Sequence, residues 1–204
     1  MQEKKIYSLF SVPIYFCKLN KNLTKEEINH VNFHKKNIYP NVGNKTSYKN
    51  YVLNDKVFKN LKKNLTLIIQ DYFKNIVIPE YNITPYITQS WLNFTNINEY
   101  HHKHSHPNSL ISGVLYIKAH KDFDKIEFYK ENESTIEIFS EKINEFNYKS
   151  WWFPVETLDV VLFPSYLNHA VLSKKEKNER ISLAFNVFVK GTLGNSMNLT
   201  ELIL

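Results

Sequence analysis

The chain has 204 residues, 43% of them hydrophobic, so it can bury a sizeable core and is too apolar to be disordered. Its net charge of +6 comes from lysines scattered among asparagines, with a single arginine and no basic block, a pattern that does not indicate a nucleic-acid partner. We find no run long enough to span a membrane and no apolar core of a signal peptide, and Cys17 is the only cysteine. These features predict a cytoplasmic protein without disulfides or a membrane partner. They do not indicate an oligomeric state.

The N-terminal part predicts an extended segment followed by two helices. Residues 5–19 read as extended, with Pro13 favouring an edge strand or a break. Thr24 and Glu27 have the spacing of a capping box, which predicts a helix over residues 24–37. The residues of this helix predicted to face inward are Ile28, Val31 and Phe33.

Residues 37–54 are rich in Asn, Gly, Pro and Ser and predict a loop. Apolar residues then recur every three or four positions, which predicts a second helix over residues 54–75. The stripe consists of Val57, Leu61, Leu65, Ile68 and Tyr72. We expect both helices to pack on the outside of a sheet.

From Pro85 onward the pattern changes to eight short β-type runs: PYITQSWLNFT, SLISGVLYI, KIEFY, TIEIF, SWWFPV, DVVLF, HAVLS and RISLAFNVFV. Such runs, with no helical segments between them, predict a mainly β fold of the jelly-roll, cupin-like type with antiparallel sheets. Residues 134–147 fit either a partial helix or a hairpin. We therefore predict a single domain, residues 1–204, with support in 1–84, the jelly-roll core in 85–190 and a tail in 191–204.

Histidines concentrate in residues 100–116, the segment YHHKHSHPNSLISGVLY, which holds four of the eight in the chain. On a strand, residues two apart project to the same side, so His102, His104 and His106 could present nitrogens to one metal ion. A solvated basic patch or an adventitious metal binder would have the same composition. Against these alternatives, His169 and then Arg180 follow in the later strands. The remaining histidines, His30, His34 and His120, are predicted to lie on the surface.

Three blocks, HSHPNSLISGVLYI, LFPSYLNHAV and ERISLAFNV, occur in order over residues 89–189. Together they resemble a family of 2-oxoglutarate- and iron-dependent oxygenases from marine bacteria and phages, in the prolyl-hydroxylase-like branch of the double-stranded β-helix fold. The segment LFSVPIY near the N-terminus adds a weaker similarity. The resemblance implies a dioxygenase that hydroxylates a substrate with release of succinate and CO2, uses Fe(II) as cofactor, and takes 2-oxoglutarate as a small-molecule cosubstrate.

The resemblance also implies a ligand set. The family's usual pattern is H-x-D or H-x-E plus a distant His, and it falls on His104, His106 and His169. His106 stands where a carboxylate is usual, so the metal would bind three neutral nitrogens. Such a shell should raise the iron potential and admit Zn(II) or Cu(II) more readily.

For the cosubstrate, the resemblance implies an arginine on the strand after the distant His, with a hydroxyl two residues on. Arg180 and Ser182 match this pattern, and guanidinium suits a buried carboxylate better than ammonium does. On an alternating strand, Ala184 and Asn186 face the same way. Tyr116 is a further candidate for the cosubstrate site, and the possible pocket residues are Trp91, Asn93, Tyr100 and Asn186. Aromatic residues at such positions also suit an ordinary β core.

No catalytic residue beyond the metal centre is indicated, and the substrate is not indicated either. The alternative function is a non-enzymatic jelly-roll module that holds a structural or sensing metal. A cofactor-independent cupin-type enzyme and a metal-only thiol dioxygenase are further alternatives. Arg180 favours the oxygenase, since a structural metal site has no use for an interior guanidinium.

Overall fold

The computed structural model describes residues 4–131, residue 136 and residues 138–204. Its α-helices are α1 (Lys25–Lys35) and α2 (Lys59–Tyr72). The strands are β1 (Tyr15–Lys18), β2 (Ile38–Pro40), β3 (Lys45–Ser47), β4 (Ile83–Thr95), β5 (His101–His104), β6 (Ile111–Lys118), β7 (Lys125–Tyr129), β8 (Ser150–Pro154), β9 (Asp159–Pro164), β10 (His169–Val171), β11 (Arg180–Leu193) and β12 (Leu202–Ile203). Seven of the eight predicted β-type runs coincide with strands. The eighth, TIEIF, and the start of 134–147 lie partly outside the described residues.

The strands form two antiparallel sheets. The larger sheet has the order β1-β9-β6-β11-β4-β3-β2, with β12 also paired to β11, and the smaller sheet has the order β5-β10-β7-β8. Chain neighbours such as β9 and β10 lie in different sheets, so the chain crosses repeatedly between them. The prediction of a mainly β, double-stranded β-helix is confirmed.

The two faces of the larger sheet pack against different parts of the protein, as β11 shows. Its odd-numbered residues, Ile181 through Val189, are buried in one hydrophobic cluster with α1 and α2, which pack on the outer face of the sheet. On the opposite face, Arg180, Ser182 and Ala184 line the cavity that also contains His104 and His169 of the smaller sheet. A second cluster fills the space between the sheets, where Tyr116 and Phe163 of the larger sheet meet Ile126 and Phe128 of the smaller one. This inner space contains the candidate site.

The capping box of α1 is present, with the Thr24 side chain accepting from the Glu27 N–H and the Glu27 carboxylate accepting from the Thr24 N–H. The predicted inward face was only partly right. Val31 is buried, but Ile28 and Phe33 are 38% and 55% exposed. The buried positions are spaced by three and four residues around Val31 and are Glu27, Val31 and His34, so two polar groups face inward instead.

Residues 37–54 are not simply a loop. They contain β2 and β3, which extend the larger sheet because β3 pairs with the end of β4. The second helix is shorter than predicted, with a 3₁₀ turn before it and a π-helical turn, Phe73–Val77, after it. Leu61, Leu65 and Tyr72 are buried as expected, whereas Val57 precedes the helix and is 39% exposed.

Gly113 on β6 leaves room for a large side chain of the neighbouring strand β11. A Cβ at this position would lie 2.2 Å from the Phe185 ring and 2.8 Å from Leu162, so the missing side chain makes room for that ring. None of the helices in the described part of the chain has the length and apolar character required to cross a bilayer.

Candidate active site

Three histidines converge because of strand register. His104 on β5 and His169 on β10 are directly opposed in an antiparallel pair, which brings their side chains to within contact distance. His106 follows β5, where its backbone N–H donates to the Ser165 carbonyl at 2.9 Å. One ring nitrogen from each of the three imidazoles lies within 4.8 Å of the other two. This spacing suits the ligands of a single metal ion.

Hydrogen bonds fix the orientation of each ring. The Nδ1 atoms pair with carbonyl oxygens: His104 with His102 at 2.7 Å, and His169 with Leu167 at 3.1 Å. His106 Nδ1 pairs with the side-chain oxygen of Asn186 at 2.6 Å. Because all three partners are acceptors, Nδ1 carries the proton on each ring and Nε2 keeps its lone pair.

The Nε2 atom of His106 is buried and has no hydrogen-bond partner among the described residues. Leaving a buried nitrogen unpaired is costly unless something else binds it. A metal ion supplies such a partner, and orientation of ligand histidines through the other ring nitrogen is typical of metal centres. The residues therefore fit a divalent metal bound by three imidazole nitrogens.

The histidines are also held in the neutral form that a metal requires. Burial lowers the pKa of His169 to about 2, with further contributions from His104 and His106. Burial likewise lowers the pKa of His104 to about 4 and that of His106 below its usual range. Protons therefore do not compete for the nitrogens near neutral pH.

A narrow cavity is lined by the three histidines together with Arg180. Among the sequence-predicted residues, those that line it are His104, His106, His169, Arg180, Ser182, Tyr116, Trp91 and Asn93. Asn186 does not line the cavity but contacts it through His106. The indole of Trp91 stacks on the His106 ring at 5.6 Å.

The cosubstrate candidates lie side by side in the larger sheet. Ser182 is paired with Asn93 of β4 on one side and with Tyr116 of β6 on the other, which places three polar side chains in one row across the cavity wall. The Asn93 side-chain oxygen is buried without a hydrogen-bond partner in the described part of the chain. Arg180 lies two residues before Ser182 on the same face and is only 4% exposed.

Sequence reasoning missed two charged residues at this site. Asp124, just before β7, and Lys174, just after β10, are both completely buried at the side chain, and they form an ion pair of 2.9 Å. Arg180 also contacts the Asp124 carboxylate, at 3.5 Å. No local sequence signal marks either residue as buried.

His101 was also missed as a lining residue of the cavity. It could form a second triad with His102 and His104, whose ligand atoms are equally close. However, the Nε2 atom of His101 already lies 3.3 Å from the Asn41 side-chain amide. His104, His106 and His169 are therefore better placed to bind a metal than the group that contains His102.

The structure places Tyr100 and His34 differently from the prediction. Tyr100 does not line the cavity, because it is 43% exposed and its backbone N–H donates to Gly43. His34 is not a surface residue, because it is 6% exposed and pairs with Asp55 at 3.0 Å. His30 also pairs with Asp55, at 2.9 Å.

The group His30, His34 and Asp55 has the spacing of metal ligands, but its hydrogen bonds are already satisfied. Both imidazoles share one carboxylate oxygen of Asp55, and the ammonium of Lys49 pairs with the other. This group ties α1 to the turn before α2. His120 remains largely exposed, as predicted.

Comparison with solved structures establishes the fold. The structure resembles HygX from Streptomyces hygroscopicus, crystallised with nickel and 2-oxoglutarate, at a TM-score of 0.60 and 10% identity over 86% of this chain and 82% of that one. It also resembles the viral collagen prolyl hydroxylase of Paramecium bursaria Chlorella virus-1 (TM-score 0.53, 13% identity, 85% and 94% coverage). A prolyl-4-hydroxylase from Pseudomonas putida is similar too (TM-score 0.54, 9% identity, 87% and 94% coverage). No curated protein sequence matches significantly.

Residues 89–186 match the model of the family described as "putative 2OG-Fe(II) oxygenase". This segment contains every residue that lines the cavity, from Trp91 to Ala184. These residues are therefore similar to the 2OG-Fe(II) oxygenase family.

Proposed function

We propose that this protein is an Fe(II)- and 2-oxoglutarate-dependent dioxygenase in which His104, His106 and His169 bind the metal through Nε2. Arg180 and Ser182 bind the distal carboxylate of the cosubstrate. The observation that carries this proposal is that one cavity joins three unprotonated imidazole nitrogens to a buried guanidinium. A metal site with only a structural role gives no reason for that guanidinium.

When bound, Fe(II) would activate dioxygen, which oxidises 2-oxoglutarate to succinate and CO2 with one oxygen atom and hydroxylates a C–H bond of the substrate with the other. The protein contributes position and charge. The three Nδ1 hydrogen bonds hold the imidazole rings in place before the metal arrives, so little reorganisation accompanies binding. Arg180 offers a planar fork of donors that matches a carboxylate.

Tyr116 completes the cosubstrate end of the cavity. Burial raises the pKa of Tyr116 above its usual range, so the phenol remains protonated and can donate a hydrogen bond to a carboxylate. Ser182 provides a second hydroxyl beside it, and the paired strands hold the two residues in register. We propose that both donate to the same carboxylate as Arg180.

The third ligand distinguishes this site from the usual pattern. His106 is neutral where a carboxylate would bring a negative charge, so the metal keeps one more unit of positive charge. Imidazole ligands suit Zn(II) and Cu(II) as well as Fe(II). We propose that the site turns over with iron and that other divalent metals compete for it.

The test is to titrate 2-oxoglutarate into the Mn(II)-loaded protein without oxygen, using the wild type, Arg180→Ala and Arg180→Lys. We expect Arg180→Ala to weaken cosubstrate affinity by two to three powers of ten, since a broken buried ion pair costs on the order of 3 to 5 kcal/mol. Arg180→Lys should recover only part of the lost cosubstrate affinity. Mn(II) affinity should change little.

Equal affinities in the wild type and Arg180→Ala would remove Arg180 from the site. A wild type that binds Mn(II) but not 2-oxoglutarate would instead support the non-enzymatic metal-binding module. Hydroxylation itself is measured as succinate release in the presence of Fe(II) and oxygen, once a substrate is found.

We further propose that residues 1–204 form one domain and that the protein works in the cytoplasm. The first point is supported by the single hydrophobic cluster that joins α1 and α2 to β11. The second is supported by the lone, free Cys17, which is typical of a reducing compartment. A nucleic-acid partner is not part of the proposal.

A further inference from the structure

Three charged side chains are buried together beside the cavity, and one of them, Arg180, lines it. Asp124, Lys174 and Arg180, here called the charge cluster, have side-chain exposures of 0%, 0% and 5%. They come from the segments before β7, after β10 and at the start of β11, so tertiary structure alone brings them together. Buried charges are tolerated when they are paired, and this cluster has two cations for one carboxylate. One positive charge is therefore left for an incoming anion.

The distances show which cation Asp124 prefers. The Lys174 ammonium lies 2.9 Å from the Oδ1 atom of Asp124, whereas the nearest Arg180 nitrogen lies 3.5 Å from the same oxygen. The second oxygen, Oδ2, accepts the backbone N–H of His120 at 2.9 Å. Asp124 is thus satisfied by Lys174 and the backbone, and its contact with Arg180 is at the limit of a hydrogen bond.

Lys174 is itself fixed by its backbone. Its N–H donates to the Glu99 carbonyl at 2.9 Å, and its carbonyl accepts from Asn98 at 2.7 Å. These two bonds anchor the segment after β10 to the turn before β5. These bonds fix the position of the Lys174 backbone, from which its ammonium reaches Asp124.

We propose that Lys174 is a positioning residue, which neutralises Asp124 and so keeps the guanidinium of Arg180 available for the distal carboxylate of the cosubstrate. This inference rests on the proposed function of Arg180. Without the ammonium, the buried Asp124 carboxylate would keep only the His120 N–H and its contact with Arg180. It would then form the bidentate pair that guanidinium favours and compete with the cosubstrate from within the protein.

The experiment compares Lys174→Met, the double variant Asp124→Asn/Lys174→Met, and the control Lys175→Met. Lys175 is the exposed neighbour, so its substitution removes the same charge without touching the cluster. Affinities for 2-oxoglutarate and for Mn(II) are measured separately, without oxygen. We expect Lys174→Met to weaken 2-oxoglutarate binding by a factor on the order of 10 to 100, and Lys175→Met to leave it unchanged.

The double variant is the decisive measurement. Because it removes the competing carboxylate together with the ammonium, it should restore 2-oxoglutarate affinity to within about threefold of the wild type. Mn(II) affinity should stay the same throughout, since the histidines are not altered. A residue with a purely structural role would give no such rescue.

Two results would overturn the inference while leaving the role of Arg180 intact. One is wild-type affinity in Lys174→Met, and the other is an equal loss in the single and double variants, in both cases with Arg180→Ala still defective. If the wild type fails to bind 2-oxoglutarate, both proposals are overturned. If Lys174→Met does not fold, Lys174→Gln replaces it, because the amide keeps a donor toward Asp124 but brings no charge. The same loss is then expected.

Discussion

Asn186 offers a direct test of how the metal ligands are prepared. Its side-chain oxygen accepts the Nδ1 proton of His106 at 2.6 Å and also lies 3.3 Å from the hydroxyl of Ser112. Substitution of Asn186 by Leu keeps the number and branching of the side-chain heavy atoms and removes the acceptor. The His106 ring then has no partner at Nδ1 and is free to place its proton on Nε2. That tautomer has no lone pair at Nε2, the nitrogen that faces the metal site.

The expected magnitude follows from the cost of the lost contact. Leaving a buried donor unsatisfied costs about 1 to 3 kcal/mol. Loss of a hydrogen bond behind a ligand histidine typically weakens metal affinity by about 10- to 100-fold, which corresponds to about 1.4 to 2.7 kcal/mol. The two estimates agree. We expect Asn186→Leu to weaken Mn(II) and Zn(II) binding by that factor.

The assay is competition with a chromophoric chelator, with circular dichroism to verify that each variant is folded. Ser112→Ala is the matched control, because it removes the other hydrogen bond to the same oxygen and leaves His106 in contact with Asn186. Its metal affinity should change by less than about threefold. A folded Asn186→Leu variant that binds metal as the wild type does would refute the role of Asn186 in orienting His106.

Two other predictions concern the histidines themselves. Substitution of His106 by Asp introduces the usual carboxylate, so the ratio of Cu(II) to Mn(II) affinity should fall on the order of tenfold. Anaerobic competition between the two metals measures this ratio. An unchanged ratio would mean that His106 is not a ligand. In metal-free protein, the folded-state pKa of His104, about 4, lies below its usual value of about 6.5, so the unfolded state takes up protons first as the pH falls. The free energy of unfolding should therefore fall by up to about 1.4 kcal/mol per pH unit for this residue between pH 6.5 and 4, and urea titrations should show a shallower decline in His104→Ala.

The parts of the fold that sequence predicts well are those set by local interactions. The capping box of α1 involves residues three apart, and the β-type runs alternate over a few positions. The strands β2 and β3 escaped prediction because each has only three residues and they lie among Asn, Gly and Pro residues. They form through long-range pairing, since β2 pairs with β3, and β3 pairs with β4, far along the chain. The burial of His34 has the same origin, since Asp55 lies 21 residues away.

The candidate site likewise contains residues that the sequence predicts and residues that it does not. The spacing of His104 and His106 and the place of Arg180 after His169 are visible in the sequence. Asp124 and Lys174 are not, because they lie in the runs KDFDK and LSKKEKNE, which read as exposed turns. Only the structure places both side chains in the interior. Charged residues are rarely buried, so sequence reasoning has no ground for selecting these two.

The positive charge at the Arg180 end of the cavity and the positive charge of a metal at the other end would both attract a cosubstrate with two carboxylates. The charge cluster brings one unit of positive charge, and three neutral imidazoles leave the full charge of a divalent metal unbalanced. A cosubstrate with two carboxylates fits such a cavity better than one in which a ligand carboxylate has already neutralised part of the metal. His106→Asp and Lys174→Met should therefore both weaken 2-oxoglutarate binding, but for different reasons. The first reduces the attraction of the metal end, whereas the second lets Asp124 occupy Arg180, so only the second should be rescued by Asp124→Asn.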